Sequence, residues 1–384
     1  MPWLETCSMH ERYQFILAHQ AAQESTAELC RQFGIARRTG YKWLDRFAEE
    51  GLADLGVDGV GAGVGGVGTV PEAREALLAL RAQHPTWGPK KLAPLLAHLD
   101  PPLEAPALST IGDLLRSAGL THPQRRRRHA PPRTQPLAHA SEVNRVWTAD
   151  FKGDFGLGNG SRCHPLTIMD GCSRFLLRCQ ALERTPTSLV QPLFEATFRE
   201  FGLPEVVRSD NGPPFASVGV GGLTALSLWW VKLGIRPERI DPGKPQQNGR
   251  HERFHRTLKA EACRPSAYSL RAQQQRFDAF RQVYNHQRPH EALGQVPPAT
   301  LYTASPRPFP ARLPAMDYPD ADLVRWVRPN GAIRWRNQEV YVGQVLAGEP
   351  VGLTQVGDAV WQIAFGSLLL GHCRPGSSRL LPLP

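Results

Sequence analysis

Three acids stand where a carboxylate is either costly or conspicuous. In RSDNGPPF, residues 208–215, Asp210 follows Val206 and Val207, which read as a short strand. Gly212, Pro213 and Pro214 stop that strand, because glycine weakens a ladder and proline cannot donate to one. Asp210 therefore sits where a buried strand leaves its sheet. Turn chemistry alone accounts for Asp-Asn-Gly; a metal ligand accounts for it equally well and requires partners elsewhere in the chain. In VWTADFKGDF, residues 146–155, Asp150 lies among Val146, Trp147, Ala149 and Phe151. An acid inside an apolar strand is expensive unless it is paired, protonated or bound to metal. The third is Glu252, in DPGKPQQNGRHERFHRTLKAEA, residues 241–262.

The elements that must carry these acids follow from local pattern. Strands are expected over 146–155, 163–169 and 174–181, then a helix over 187–202, then the strand ending at Asp210. From about Gln246 the chain can run as a helix, with Phe254 and Leu258 inward. Around Glu252 that helix is basic: Lys244 precedes it, Asn248 lies in its entry, and Arg250, His251, Arg253, His255, Arg256 and Lys259 lie on it. A basic helix carrying one acid suits a phosphodiester substrate; a solvated helix with a Glu252–Arg256 pair is the plainer reading. Each acid has a competitor. Asp154 lies four residues after Asp150, Asp170 reads as a turn acid beside Arg174, Asp241 as a cap, and Glu261 is too far along the helix to share a metal with Glu252.

The chain has 384 residues, 45 Lys plus Arg against 35 Asp plus Glu, and a net charge of +10. That balance suggests an acidic partner, most simply nucleic acid. The seven cysteines include no C-x-x-C pair, which argues against a cysteine zinc site and fits a reducing cytosol. No secretory apolar core and no membrane-length apolar run is found, so a cytoplasmic, bacterial-style protein is expected.

Composition divides the chain. Residues 1–55 read as a helix-turn-helix domain: Ser25 or Thr26 caps one helix, Gly34 ends it, and a second starts near Ala36 with Trp43, Leu44 and Phe47 inward. Arg37, Arg38, Tyr41 and Lys42 then face outward where such a unit reaches DNA. Residues 56–70 are a Gly/Val-rich linker, and 71–122 a second helical DNA-binding unit, with Ser109 as cap and Gly119 as stop. Residues 123–142 form a basic connector in which Arg125, Arg126, Arg127 and Arg128 can track a phosphate backbone. Residues 143–303 alternate strand and helix signals, 304–321 are a Pro-rich linker, 322–371 alternate as short strands, and 372–384 are a tail. In 322–371 a hairpin is expected at Asn330-Gly331, and five short strands suggest a small SH3-like β-barrel. Arginines beside Trp326 and Trp335 there suit nucleic acid or ordinary core packing.

Asp150 in WTADF, Asp210 in SDNGPPF and Glu252 in PGKPQQNGRHERFHRTLK resemble the acids of DDE transposases and retroviral-type integrases. MDGCSRF, TWGPKKL and YNHQRPHEAL extend the resemblance to the integrase-type transposases of bacterial insertion sequences. It implies a multidomain protein: N-terminal all-α helix-turn-helix units, a central α/β RNase H-like integrase core with a five-stranded mixed sheet, and the C-terminal barrel. It implies Asp150, Asp210 and Glu252 as catalytic metal ligands for two Mg²⁺ (or Mn²⁺) ions, which take oxygen donors. The implied partners are double-stranded DNA, as element terminal inverted repeats and target, and further copies of the chain as a homo-multimer on paired ends. Within the motifs, Gly212 is expected to permit tight backbone, Asn211 to contact substrate, and Arg288 and His290 to serve packing more than DNA. The interval from Asp210 to Glu252 is longer than usual for this family, with VGVGGL, residues 218–223, as the expected inserted loop. A nuclease without strand transfer, and a catalytically silent DNA-binding regulator derived from a transposase, are the competing readings.

Overall fold

The computed structural model describes residues 8–20, 25–50, 70–121, 140–240 and 249–381. The chain divides into two compact units, Met1–Ala76 and Leu77–Pro384. The expected linker over 56–70 and the basic connector with Arg125, Arg126, Arg127 and Arg128 lie almost wholly outside the described residues, as do Lys244 and Asn248.

In the first unit, α1 (Ser8–Gln20), α2 (Thr26–Gln32) and α3 (Arg37–Glu50) enclose Phe15, Ile16, Leu29, Cys30 and Trp43. Ser25 caps α2 in a reciprocal box with Glu28, satisfying donors that a helix start leaves bare. Gly34, at φ 63°, turns the chain toward α3. Gly40 is needed for a different reason: a Cβ there would lie 2.4 Å from Cys30 Sγ, so only glycine lets α3 approach this closely.

The division falls within α4 (Pro71–Gln83), and in the second unit α5 (Pro89–Leu96) and α6 (Leu108–Ser117) precede the sheet. Ala107, not Ser109, is the N-cap of α6, so Ser109 falls inside the first turn; Gly119 follows the helix at φ 70° as expected. The sheet is built from β1 (Val146–Phe151), β2 (Phe155–Gly156), β3 (Arg162–Asp170), β4 (Leu176–Leu182), β5 (Val206–Ser209) and β6 (Arg236–Arg239). Its long strands run in the order β4-β3-β1-β5-β6, with the short β2 added to β3. β1 is antiparallel to β3 and parallel to β5, and β5 is parallel to β6. This is the mixed five-stranded sheet expected, with β2 as a short addition. Helices α7 (Thr187–Phe201) and α8 (Ala225–Lys232) share one core with Trp147, Ile168 and Val207. On the other, α9 (Gly249–Glu261) and α10 (Leu270–His286) bury Phe254, Leu258, Phe277 and Phe280 against Cys163, Met169, Leu176 and Cys179.

The YNHQRPHEAL segment is a fastening point. Arg288 is buried, pairs with Glu261 at the end of α9, and lies 5.6 Å from the Trp87 ring. Thr86 Oγ1 donates to the same Glu261 carboxylate at 2.6 Å, Lys90 pairs with Glu291 at 2.7 Å, and Lys91 donates to the Pro289 carbonyl at 2.9 Å. The TWGPKKL segment is thereby seated on the end of α9 and on the YNHQRPHEAL segment. Packing is therefore the role the structure gives Arg288.

Beyond the core, residues 304–321 are a strap, not a free linker. Leu203 N–H donates to the Arg307 carbonyl at 2.7 Å, the Arg307 guanidinium donates to Pro204 at 2.7 Å, and Phe309 packs on the core. The C-terminal strands are β7 (Leu323–Trp326), β8 (Ala332–Trp335), β9 (Gln338–Tyr341), β10 (Pro350–Gly357), β11 (Val360–Phe365) and β12 (Leu368–Cys373). They form a four-stranded sheet, β12-β11-β10-β7, and a separate β8–β9 pair around one core. The expected hairpin at Asn330-Gly331 is a correction: a tight turn forms there, but β7 pairs with β10 and β8 with β9. The hairpin turn is Arg336-Asn337, both at positive φ, the geometry a two-residue loop requires. Trp335 is in the core, as ordinary packing requires, while Trp326 is 68% exposed. The VGVGGL segment, expected as an inserted loop, packs inward: Val220 and Leu223 enter this C-terminal core, and Lys232 of α8 pairs with Glu349 at 2.7 Å.

Removing Arg288 would leave the nearly buried Glu261 carboxylate without its counter-charge, a change that typically costs about 3–5 kcal/mol. Arg288→Ala is expected to lower the urea midpoint of the second unit by a corresponding amount, read by tryptophan fluorescence. Arg288→Lys should recover part of the loss, since it restores charge without the guanidinium beside Trp87.

Candidate active site

Asp150 and Asp210 are brought together by strand register. In the parallel pair β1–β5, Ala149 is level with Ser209, so the next residue along each strand is one of the two aspartates. Asp150 is buried, at 9% exposure, and Asp210 is half-buried. Burial pushes the Asp210 carboxyl up from its ordinary value, and a hydrogen bond from Gly212 N–H at 3.3 Å partly offsets this. A Cβ at Gly212 would stand 3.3 Å from Asp210 Oδ2, so glycine permits the close turn that places the carboxylate. Asn211 does something other than expected: its amide donates to the Ile240 carbonyl at 2.8 Å, tying this turn to the segment that leads toward α9.

The competing acids are accounted for elsewhere. Asp154 is exposed and pairs with Arg162, which holds its carboxyl below the usual range. Asp170 closes the MDGCSR turn by accepting from Asn144 N–H at 2.8 Å and from Ser173 N–H and Oγ at 2.7 Å. Arg174 meets it through the main chain, donating its N–H to the Asp170 carbonyl at 3.1 Å. Glu261 serves Arg288 and Thr86. Asp241 lies outside the described residues.

Glu252 is exposed in the first turn of α9, and Arg253, Arg256 and Lys259 are exposed on the same helix; the Arg250 side chain is outside the described set. Among the described residues, no group of three or more His, Cys, Asp or Glu stands close enough to hold a metal ion. The structure therefore brings the two aspartates to adjoining strand ends and does not gather Glu252 with them.

Two expected members of the basic surround are displaced from it. His251 is 2% exposed, and His255 is largely covered. Both Nε2 atoms approach one hydroxyl: Thr167 Oγ1 lies 3.3 Å from His251 Nε2 and 3.0 Å from His255 Nε2. That hydroxyl also donates to the Asp150 carbonyl at 3.0 Å, and Thr167 is the residue opposite Asp150 in the β1–β3 register. Burial pushes His251 well down and His255 down to about 4, with Lys152 adding repulsion at His255. Both rings are neutral at pH 7 and belong to the core. Thr167 carries no signal in the sequence, but the stripe 251, 254, 255, 258 and 262 is a helical face that places the histidines inward with Phe254 and Leu258.

On α3, Arg37, Arg38, Tyr41 and Lys42 are exposed, as expected, while Gly40 and Trp43 are buried. Lys42 Nζ lies 5.2 Å from the Trp43 ring.

The depressed His255 pKa has a consequence for stability. An unfolded chain takes up a proton near the ordinary pKa of 6.5, which the folded site refuses until about 4. Stability present above pH 6.5 is lost as the pH falls from there toward 4, by about 3 kcal/mol at full development. Asp170 and Asp210, pushed up by burial, act in the opposite sense. The difference between wild type and His255→Gln therefore isolates the term: thermal unfolding from pH 7.5 to 4.5 should show the wild type losing Tm faster than the variant.

Comparison with known proteins agrees with this architecture. Integrase core domain models match residues 140–245 and 233–298, and homeodomain-like domain models match residues 10–56 and 39–115. The insertion element IS407 protein of Burkholderia multivorans is 32% identical over 188 residues, covering 48% of this chain and 65% of that protein. The insertion element IS476 protein of Xanthomonas euvesicatoria is 31% identical over 227 residues, covering 58% of this chain and 62% of that protein. The chain thus spans somewhat less than two thirds of these curated relatives. Among solved structures, the HTLV-2 integrase catalytic core domain in complex with magnesium is 13% identical with a TM-score of 0.34, covering 42% of this chain and 98% of that one. The chain carries matches to integrase core and homeodomain-like domain models and is similar over part of its length to proteins of bacterial insertion elements.

Proposed function

We propose that the protein is a DDE transposase that cleaves the ends of an insertion sequence and transfers the freed strands into target DNA. The observation that carries this is the β1–β5 register, which sets Asp150 and Asp210 at neighbouring strand ends within an integrase core. Asp150, Asp210 and Glu252 would hold Mg²⁺ or Mn²⁺, two ions per site. The donor set fits, since carboxylate oxygens are what hard divalent cations take. When bound, such ions activate the attacking oxygen and stabilise the departing one in an in-line displacement.

The chain's own residues do the rest. Partial burial and the Gly212 turn orient Asp210, and the β1 ladder fixes Asp150. Arg253, Arg256 and Lys259 on the exposed face of α9, with Arg250, Lys244 and Asn248 before them, are assigned to phosphate and base-edge contacts beside the reacting bond. Arg37, Arg38, Tyr41 and Lys42 on α3 are assigned to the terminal inverted repeats, and Arg125, Arg126, Arg127 and Arg128 to backbone tracking. The C-terminal strands are read as an SH3-like barrel. A homo-multimer would hold two ends together, and the setting is cytoplasmic and nucleoid-associated.

The test is a strand-joining assay with flanking-repeat DNA, a target plasmid and Mg²⁺. Joined product should form with wild type and fall by at least about a hundredfold in Asp210→Asn and in EDTA. Cleavage without joining would reduce the reading to a nuclease. Specific repeat binding with neither reaction, in Mg²⁺ or Mn²⁺, would sink it in favour of a regulator.

A further inference from the structure

The neutral cluster behind Asp150 is not required by the sheet or by the helix alone. Helix α9 is already held to the sheet by Phe254, Leu258 and Ala262, all buried in one apolar cluster. Yet at its first turn, the end that carries Glu252, the anchor changes from apolar to polar. His251 and His255 lie one helical turn apart on the inward face, their ring centroids 5.2 Å from one another. Both reach Thr167, and Thr167 reaches the main chain of Asp150 itself.

The hydrogen-bond inventory of a hydroxyl makes this arrangement specific. Thr167 has one proton and two lone pairs. The Asp150 carbonyl can only accept, so it takes the proton, and both imidazoles must then donate from Nε2. All three positions of the hydroxyl are filled. An apolar contact at this place would let α9 slide or rotate by a fraction of a turn at little cost. A filled polar network cannot move without leaving a buried donor or acceptor bare, which is why such networks set register where apolar packing does not.

We propose that His251 and His255 are positioning residues that act through Thr167 to set the helix bearing Glu252 against the strand bearing Asp150. This rests on the reading of the three acids as a metal centre. The clamp fixes the start of α9, so the third carboxylate approaches the two strand-end aspartates from one direction and at one height.

Full-length Thr167→Val keeps the side chain's shape and removes the hydroxyl; Thr167→Ser keeps the hydroxyl. His255→Leu removes the donor, and His255→Gln offers an amide N–H near the Nε2 position. Each is measured for Mn²⁺ affinity by titration calorimetry, strand joining, repeat-DNA binding, Tm, and hydrogen exchange of amides 249–256. Outer-shell partners of metal ligands typically carry 10–100-fold effects. Thr167→Val and His255→Leu should therefore weaken Mn²⁺ binding and joining by about tenfold or more, and speed exchange at the start of α9. Repeat-DNA binding should be unchanged, and the Ser and Gln variants should recover most of each loss. Wild-type metal affinity and wild-type α9 protection in Thr167→Val would overturn the proposal. So would Ser and Gln variants as impaired as Val and Leu at matched Tm. If wild type shows no Mn²⁺ site that Asp210→Asn abolishes, the metal-centre reading itself fails, and α9 exchange, which needs no metal, still judges the clamp.

Discussion

A threonine hydroxyl has a single proton to give, and in this protein its destination joins a strand to a helix. Thr167 gives it to the carbonyl of Asp150 and fills its lone pairs from two imidazoles on α9. One side chain on β3 thus connects the strand that carries the first acid to the helix that carries the third. The second acid needs no such connector, because β5 lies beside β1 and register alone places Asp210. The sheet supplies two carboxylates as a consequence of backbone pairing. Glu252 lies on a separate element, exposed and not gathered with them, and the contacts of that helix with Thr167 are side-chain contacts.

The same helix is fixed at its other end by charge. Glu261 accepts from Arg288 and Thr86, so the far end of α9 is held by the YNHQRPHEAL segment and by the TWGPKKL segment together. Between these ends Phe254 and Leu258 supply hydrophobic contact, each contributing about 1.5–3 kcal/mol of burial. The second helical unit is consequently part of what holds α9. Elsewhere, α8 and the 218–223 segment carry the C-terminal strands, and the strap over 304–321 runs along the core surface. Elements that look peripheral in the sequence are seated on the core helices.

Much of this was legible. The apolar run around Asp150, the stop after Ser209 and the inward stripe of α9 follow from local pattern; β5 and α9 form there, while the strand expected over 146–155 ends at Phe151 and resumes only as the short β2. The helix-turn-helix was legible from Ser25, Gly34 and the inward Trp43. What failed did so for a common reason, which is long-range pairing. Asn330-Gly331 has hairpin chemistry, yet its flanking strands pair elsewhere, and Arg336-Asn337 makes the hairpin without the usual glycine. His251 and His255 read as charge because the sequence does not show the depth of burial that discharges them. Thr167 is an ordinary threonine in a strand until the register sets it opposite Asp150. Helix α8, with six of its eight residues buried, and β6 carry no amphipathic alternation to announce them.

The measurement that bears most directly on the account is anomalous diffraction from crystals of the wild-type protein soaked in Mn²⁺. The account predicts strong peaks in contact with the carboxylates of Asp150 and Asp210, with Glu252 drawn into the same cluster and the Thr167–histidine contacts intact behind them. Manganese bound elsewhere on the surface, with Asp150 and Asp210 making no contact to it at saturating concentration, would contradict it.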